Sequence, residues 1–209
     1  MSSKTLILFI LIFISCSKSI DTIELINIKD THDIPEFPII DIINGSVLLS
    51  KDSIITIMTL KEIPDLIKYN SKEIRKGTFE YYWFIKFDIS NDKKMKNDIG
   101  LEISYNNFDK PIGEKLSPIS EFLKECKIES FIWSDESLNN KLIKGSKTYV
   151  IGNDIIFTIP IQSLGDSIKI NKETPVKFGA WTTQGSQTGK YTRYEDDLSN
   201  KPENFNLYK

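Results

Sequence analysis

The segment from Phe79 to Ile89 alternates strictly, and no other stretch constrains the fold as much. Phe79, Tyr81, Trp83, Ile85, Phe87 and Ile89 fall on one face; Glu80, Tyr82, Phe84, Lys86 and Asp88 fall on the other. Successive side chains of a strand point to opposite sides, so a period of two over this length means one face in a core and a mixed second face. Ile99, Leu101, Ile103 and Tyr105 repeat the pattern. Ser53 to Leu60 is rich in β-branched residues, which favour strands, and Lys127 to Trp133 and Thr174 to Thr183 continue the series. Thr148 to Ile151 and Asp154 to Ile159 flank Gly152 and Asn153, a pair suited to the positive φ of a tight hairpin turn.

Helical signals are few. Ser117 to Cys126 has a capping serine, Ser117 or Ser120, and an apolar face of Ile119, Phe122 and Leu123. Ile63 to Lys68 is expected as a short helical turn with Pro64 in its first turn, and Ile161 to Leu164 as a single turn after Pro160. The stretch from Gly185 onward is polar and turn-rich. Short strands, polar turns and one or two short helices predict a mainly β fold, an antiparallel, jelly-roll-like β-sandwich. Hydrophobic residues at 40 % of the chain suffice for one core.

The N-terminus carries an address. Lys4 precedes an apolar run from Leu6 to Ile14, and Ser15 stands immediately before Cys16. The run is too short to cross a bilayer as a helix, which takes about 20 apolar residues. This arrangement resembles a bacterial lipoprotein signal, with Phe13 where leucine is usual. The resemblance implies cleavage after Ser15, lipid on Cys16 and a protein held at a membrane of the cell envelope, the outer membrane or cell surface rather than the inner membrane. The alternatives are a secretory signal cut elsewhere and an uncleaved short anchor. The expected organisation is a signal over residues 1–15, a tether over 16–38 and a domain over 39–209, since Pro35 and Pro38 break the chain before Ile39.

Two further segments together are similar to the DOMON-like and family 9 carbohydrate-binding-like sandwiches of secreted bacterial proteins. In the first, the aromatic strand around Tyr81, Tyr82, Trp83 and Phe84 runs through Asp88 into the turn at Ser90, Asn91 and Asp92. In the second, the strand from Asp154 to Ile159 ends at Pro160 before Leu164. The resemblance spans roughly residues 39 to 185 and implies a jelly-roll-like sandwich whose relatives bind sugars or haem. No paired tryptophan clamp and no Met/His haem ligand pair has a counterpart here.

Composition closes several routes. Lys plus Arg total 27 against 29 acidic residues, a balance that gives no electrostatic argument for nucleic acid, which needs a clustered basic surface. With Cys16 lipidated, Cys126 has no disulfide partner, and a half-buried, inert thiol is expected. His32 is the single histidine and falls in the expected tether, which disfavours zinc sites and histidine-based nucleophilic catalysis. Asp88, Ser90 and Asp92 group oxygen ligands that suit Ca2+; the competing reading is a solvated turn, since Lys93, Lys94 and Lys96 follow. Glu80, Glu102 and Asp88 fall on outward faces and Glu195, Asp196 and Asp197 on the polar tail, where surface charge explains each of them; a carboxylate-dependent hydrolase is the third and least favoured reading.

Aromatic residues provide the better clue. Val176, Phe178 and Ala180 form one row of their strand and Lys177, Gly179, Trp181 and Thr183 the other. If the first row is core, Trp181 faces outward, as do Tyr82 and Phe84. Exposed rings of this kind stack on sugars; the alternative is that further structure covers them. The expectation is a non-catalytic, membrane-anchored module binding a glycan or other small ligand at Trp181, Tyr82 and Phe84. A structural or assembly lipoprotein that binds another envelope protein is the alternative.

Overall fold

The computed structural model describes residues 22–30, 37–69, 77–90, 98–106, 115–133, 140–166, 168–185 and 191–205. The N-terminal signal, Cys16, His32, Asn91 and Asp92 lie outside these residues. Two antiparallel sheets make up most of the molecule. The first has five strands in the order β1 (Ile23–Lys29), β2 (Ile42–Leu49), β3 (Ser53–Leu60), β11 (Asp154–Pro160) and β10 (Lys147–Ile151). The second has six, in the order β13 (Tyr191–Ser199), β12 (Val176–Gly185), β5 (Gly77–Phe87), β6 (Ile99–Asn106), β8 (Lys127–Trp133) and β9 (Asn140–Leu142). A two-stranded ribbon joins β4 (Ile67–Tyr69) to β7 (Lys115–Ser117), and among the described residues one α-helix, α1, covers Ile119–Glu125. The architecture is the expected antiparallel β-sandwich, with no closed barrel.

The inward rows read from the sequence build the core. Tyr81, Trp83, Ile85 and Phe87 of β5 are buried, as are Leu101, Ile103 and Tyr105 of β6 and Val176, Phe178 and Ala180 of β12. They meet Val47, Ile54, Met58, Ile155, Phe157 and Ile159 of the five-stranded sheet in one apolar cluster. Phe178 of the six-stranded sheet lies on Gly45 of the other; a Cβ there would sit 2.5 Å from the ring. Phe122 of α1 is fully buried at one end of the cluster, edge-on to Tyr69, Tyr81 and Trp83. Burying a phenylalanine side chain stabilises by about 1.5–3 kcal/mol, which anchors an otherwise short helix.

The hairpin at Gly152 forms as expected, with φ of 60° at that glycine, and Pro160 closes β11. Four local expectations are corrected. Ile63 to Lys68 is not a helical turn: Ile67–Tyr69 is strand, paired with β7, because burial of Ile67 and Tyr69 outweighs the local signal. The N-cap of α1 is Pro118 and neither serine caps it, since the Ser117 hydroxyl pairs with Tyr69 Oη at 3.1 Å. The polar stretch after Gly185 contains β13, an edge strand whose solvent-facing row is charged. The expected tether includes β1, which pairs along β2 and buries Ile26, so the sheet begins well before Ile39.

Candidate functional site

The outer face of the six-stranded sheet gathers aromatic rings from strands distant in sequence. Register places Trp181 of β12 opposite Tyr82 of β5, and Gly179 opposite Phe84. The Trp181 and Tyr82 rings stack with centroids 3.7 Å apart, and Phe84 lies 5.7 Å from each. Gly179 makes this possible, because a Cβ there would be 2.1 Å from the Phe84 ring. Gly100 of β6 does the same for Phe131 and Trp133 of β8, whose ring atoms would lie 2.6 and 2.8 Å from a Cβ. An aromatic ring covering a strand glycine restores the packing that the missing side chain gives up.

The three residues expected at a binding surface, Trp181, Tyr82 and Phe84, are therefore brought together, and all are half-buried. They line a concavity of about 510 Å3 with Lys86, Trp133 and Arg193. That volume is within the range of small-ligand sites, about 300–1,000 Å3. The exposed Arg193 guanidinium lies over the Trp181 ring at 4.0 Å and pairs with Glu195 at 3.1 Å. The Trp181 Nε1 is shielded from solvent and has no hydrogen-bond partner among the described residues. Such an orphaned donor costs about 1–3 kcal/mol, unlike the indole of Trp83, which donates to Ile39 O at 3.0 Å.

Polar groups ring the platform. The Tyr82 hydroxyl bonds the Glu102 carboxylate; burial, reinforced by that charge, raises the phenol far above its usual range. Burial also raises the Glu102 pKa, with the Tyr82 bond opposing it. Lys86 lies 3.7 Å from Asp98 and 4.8 Å from the centre of the Trp133 ring, and burial pushes its pKa down to about 8 against the pull of Asp98 and Asp88. Glu80 accepts from the Thr183 hydroxyl at 2.9 Å.

The expected calcium residues are placed differently. Asp88 is fully buried, its Oδ2 accepting from Asn204 at 2.8 Å and its Oδ1 lying 3.5 Å from the Ser90 hydroxyl; Asp92 is outside the described residues. Carboxylates converge instead at Asp30, Asp41 and Asp196, where one oxygen from each lies within 4.8 Å of the others. Asp196 accepts from Ile42 N at 2.7 Å, tying β13 to the five-stranded sheet. Burial raises its pKa to about 6, with Asp30 and Asp41 adding to the shift. The Cys126 thiol is half-buried and donates to Phe122 O at 3.4 Å.

Comparison with protein-family models, with curated proteins and with solved structures gives no match. Among the described residues no helix is long and apolar enough to cross a membrane. Sequence reasoning missed Trp133, Lys86, Arg193 and Asp196. The alternation of Glu129, Phe131 and Trp133 against Ile128, Ser130 and Ile132 was a signal for Trp133. Asp196 was hidden between Glu195 and Asp197, both exposed.

Proposed function

We propose that this chain is a non-catalytic glycan-binding module, held at a bacterial cell-envelope membrane by lipid on Cys16, with its binding surface on the outer face of the six-stranded sheet. The observation that carries the reading is the contiguous platform of Trp181, Tyr82 and Phe84 in a concavity on that face. Large rings held flat beside hydrogen-bonding side chains suit a sugar, whose C–H faces stack on π-surfaces while its hydroxyls find polar neighbours. The family 9-like resemblance in the sequence points the same way.

Arg193 covers the indole in the free protein. Its exposed ion pair and its cation–π contact are each worth about 0.5–1 kcal/mol, so a stacking ligand displaces it at modest cost. Binding rather than catalysis is favoured because the carboxylates of Glu80 and Glu102 are engaged by Thr183 and Tyr82.

The test is intrinsic fluorescence. Of the three tryptophans, Trp83 is buried and Trp133 and Trp181 line the concavity. Titration with a broad panel of oligosaccharides is expected to change the emission, and Trp181→Ala to remove the response. Silence across the panel defeats the reading. The anchor is checked separately by metabolic labelling with a palmitate analogue, which Cys16→Ser should abolish.

A further inference from the structure

Trp133 lines the same concavity as Trp181, Tyr82 and Phe84. Its ring reaches Gly100 and lies over Lys86, whereas Trp181 sits opposite Tyr82. Gly100, which the Trp133 ring reaches, pairs with Lys86, so two strand spacings across the sheet and four residues along it separate Gly100 from Trp181, roughly 15 Å at normal sheet spacing. A single sugar ring cannot contact both tryptophans over that distance, but a short chain can.

The cations of the concavity are paired. Arg193 meets Glu195 at 3.1 Å, Lys177 meets Asp197 at 2.7 Å and Lys86 faces Asp98 at 3.7 Å. Glu80 and Glu102 remain as additional carboxylates on the same face. An anionic polymer would meet cations already committed to partners and a surplus of negative charge. An uncharged hydroxyl both donates and accepts, and the accessible pairs, Arg193 with Glu195 and Lys177 with Asp197, present both complements.

We infer that the ligand is an uncharged oligosaccharide chain running diagonally across the strands from Trp181 to Trp133, with Trp133 as the second stacking site that reads chain length. This inference rests on the glycan-binding reading. Trp133 is then a specificity-determining residue, engaged by a chain and out of reach of a monosaccharide bound at Trp181.

The experiment is a calorimetric titration of the full-length chain, purified in detergent, with the monosaccharide, trisaccharide and hexasaccharide of whichever neutral series changes its fluorescence, and with a uronic-acid oligomer of matched length. Affinity is expected to rise at least tenfold from monosaccharide to hexasaccharide. Trp133→Ala should erase that gain while leaving the monosaccharide's affinity within about twofold, and Trp133→Tyr, which keeps a ring, should retain most of the gain. Thermal unfolding of both variants verifies that they are folded, and Trp133→Tyr carries the comparison if the alanine variant is not. The uronic-acid oligomer should bind at least tenfold more weakly than the neutral one. Equal affinity for all lengths, an unchanged length dependence in Trp133→Ala or, with that variant unfolded, a length dependence lost in a folded Trp133→Tyr overturns the inference and leaves the Trp181 platform standing. Preference for the acidic oligomer also overturns it. Absence of any sugar binding removes the platform reading itself.

Discussion

Strand β5 carries aromatic rings on both faces, and the fold treats the two sets differently. On the inner face Tyr81 stacks on Trp83, Trp83 is 2 % exposed, and its N–H is bonded to Ile39 O. On the outer face Tyr82 stacks on Trp181 across the strand pair, both rings are half-buried, and the Trp181 N–H has no partner among the described residues. The inner rings are packed by two sheets and a helix. The outer rings rest on a backbone cleared by Gly179 and are covered by one mobile kind of side chain, an arginine on the surface. Similar residue types thus give a core on one side and, on the other, a concave surface with an unsatisfied indole N–H.

The comparison can be broken by substitution. Trp83→Ala should cost about 3–5 kcal/mol of unfolding free energy, as large-to-small changes in a packed core do. Trp181→Ala should cost about 1 kcal/mol, near the value of a stacked aromatic pair at a partly exposed site. Urea denaturation of both variants decides the matter, and equal losses would make the outer face a second core. The glycines sharpen it further. Gly45→Ala drives a Cβ into the buried Phe178 ring and should destabilise by about 1–3 kcal/mol, a typical overpacking cost. Gly179→Ala makes an even closer clash, but Phe84 can swing outward, so the loss should be smaller while sugar binding is impaired.

Asp196 provides a pH test at the seam between the sheets. Its carboxyl is raised by burial from 3.8 to about 6 in the folded protein, beside Asp30, Asp41 and the Ile42 N–H, with Lys61 3.6 Å from Asp41. A raised acid favours the protonated form on folding, so its contribution is complete below about pH 4 and is lost as pH rises through 6. Asp196→Asn should therefore raise stability at neutral pH by on the order of 1–2 kcal/mol and flatten this part of the profile. Thermal unfolding between pH 4 and 8 measures it; a neutral-pH loss would show that the charged form is favoured, as a bound cation would make it. The smallest effect is expected at Arg193. Arg193→Gln should change stability by less than about 1 kcal/mol, the range of exposed ion pairs, and shift tryptophan emission to the red by uncovering the indole. An unshifted spectrum would mean that the guanidinium does not cover the ring.

Much of this was legible in the chain. The inward rows of β5, β6 and β12 follow from period-two alternation, and the hairpin at Gly152 from its turn residues. The outward placement of Trp181, Tyr82 and Phe84 follows from the same count. What escaped has a common cause. Strand β13 reads as a polar tail because an edge strand with one solvated face needs few apolar residues, and Tyr194, Asp196 and Leu198 are too few to show a row. Strand β4 follows Pro64 in a window where three residues of pairing cannot be told from a turn. The acidic turn at Asp88 looks ligand-like until Asn204, far along the chain, is seen to take its carboxylate.

The sequence by itself determined which faces of the strands are apolar, because alternation is a local property of the backbone. The apolar run from Leu6 to Ile14 ahead of Cys16 is likewise a linear feature, readable without the fold. Only the tertiary structure decided which outward rings meet. Trp181, Tyr82 and Trp133 lie on strands whose order, β12, β5, β6 and β8, is set by long-range pairing, and a shift of one residue in register would turn every side chain to the opposite face. The same pairing brought Asp30, Asp41 and Asp196 together. Proximity across a sheet is fixed by hydrogen-bond register between distant segments, and no spacing along the chain encodes it.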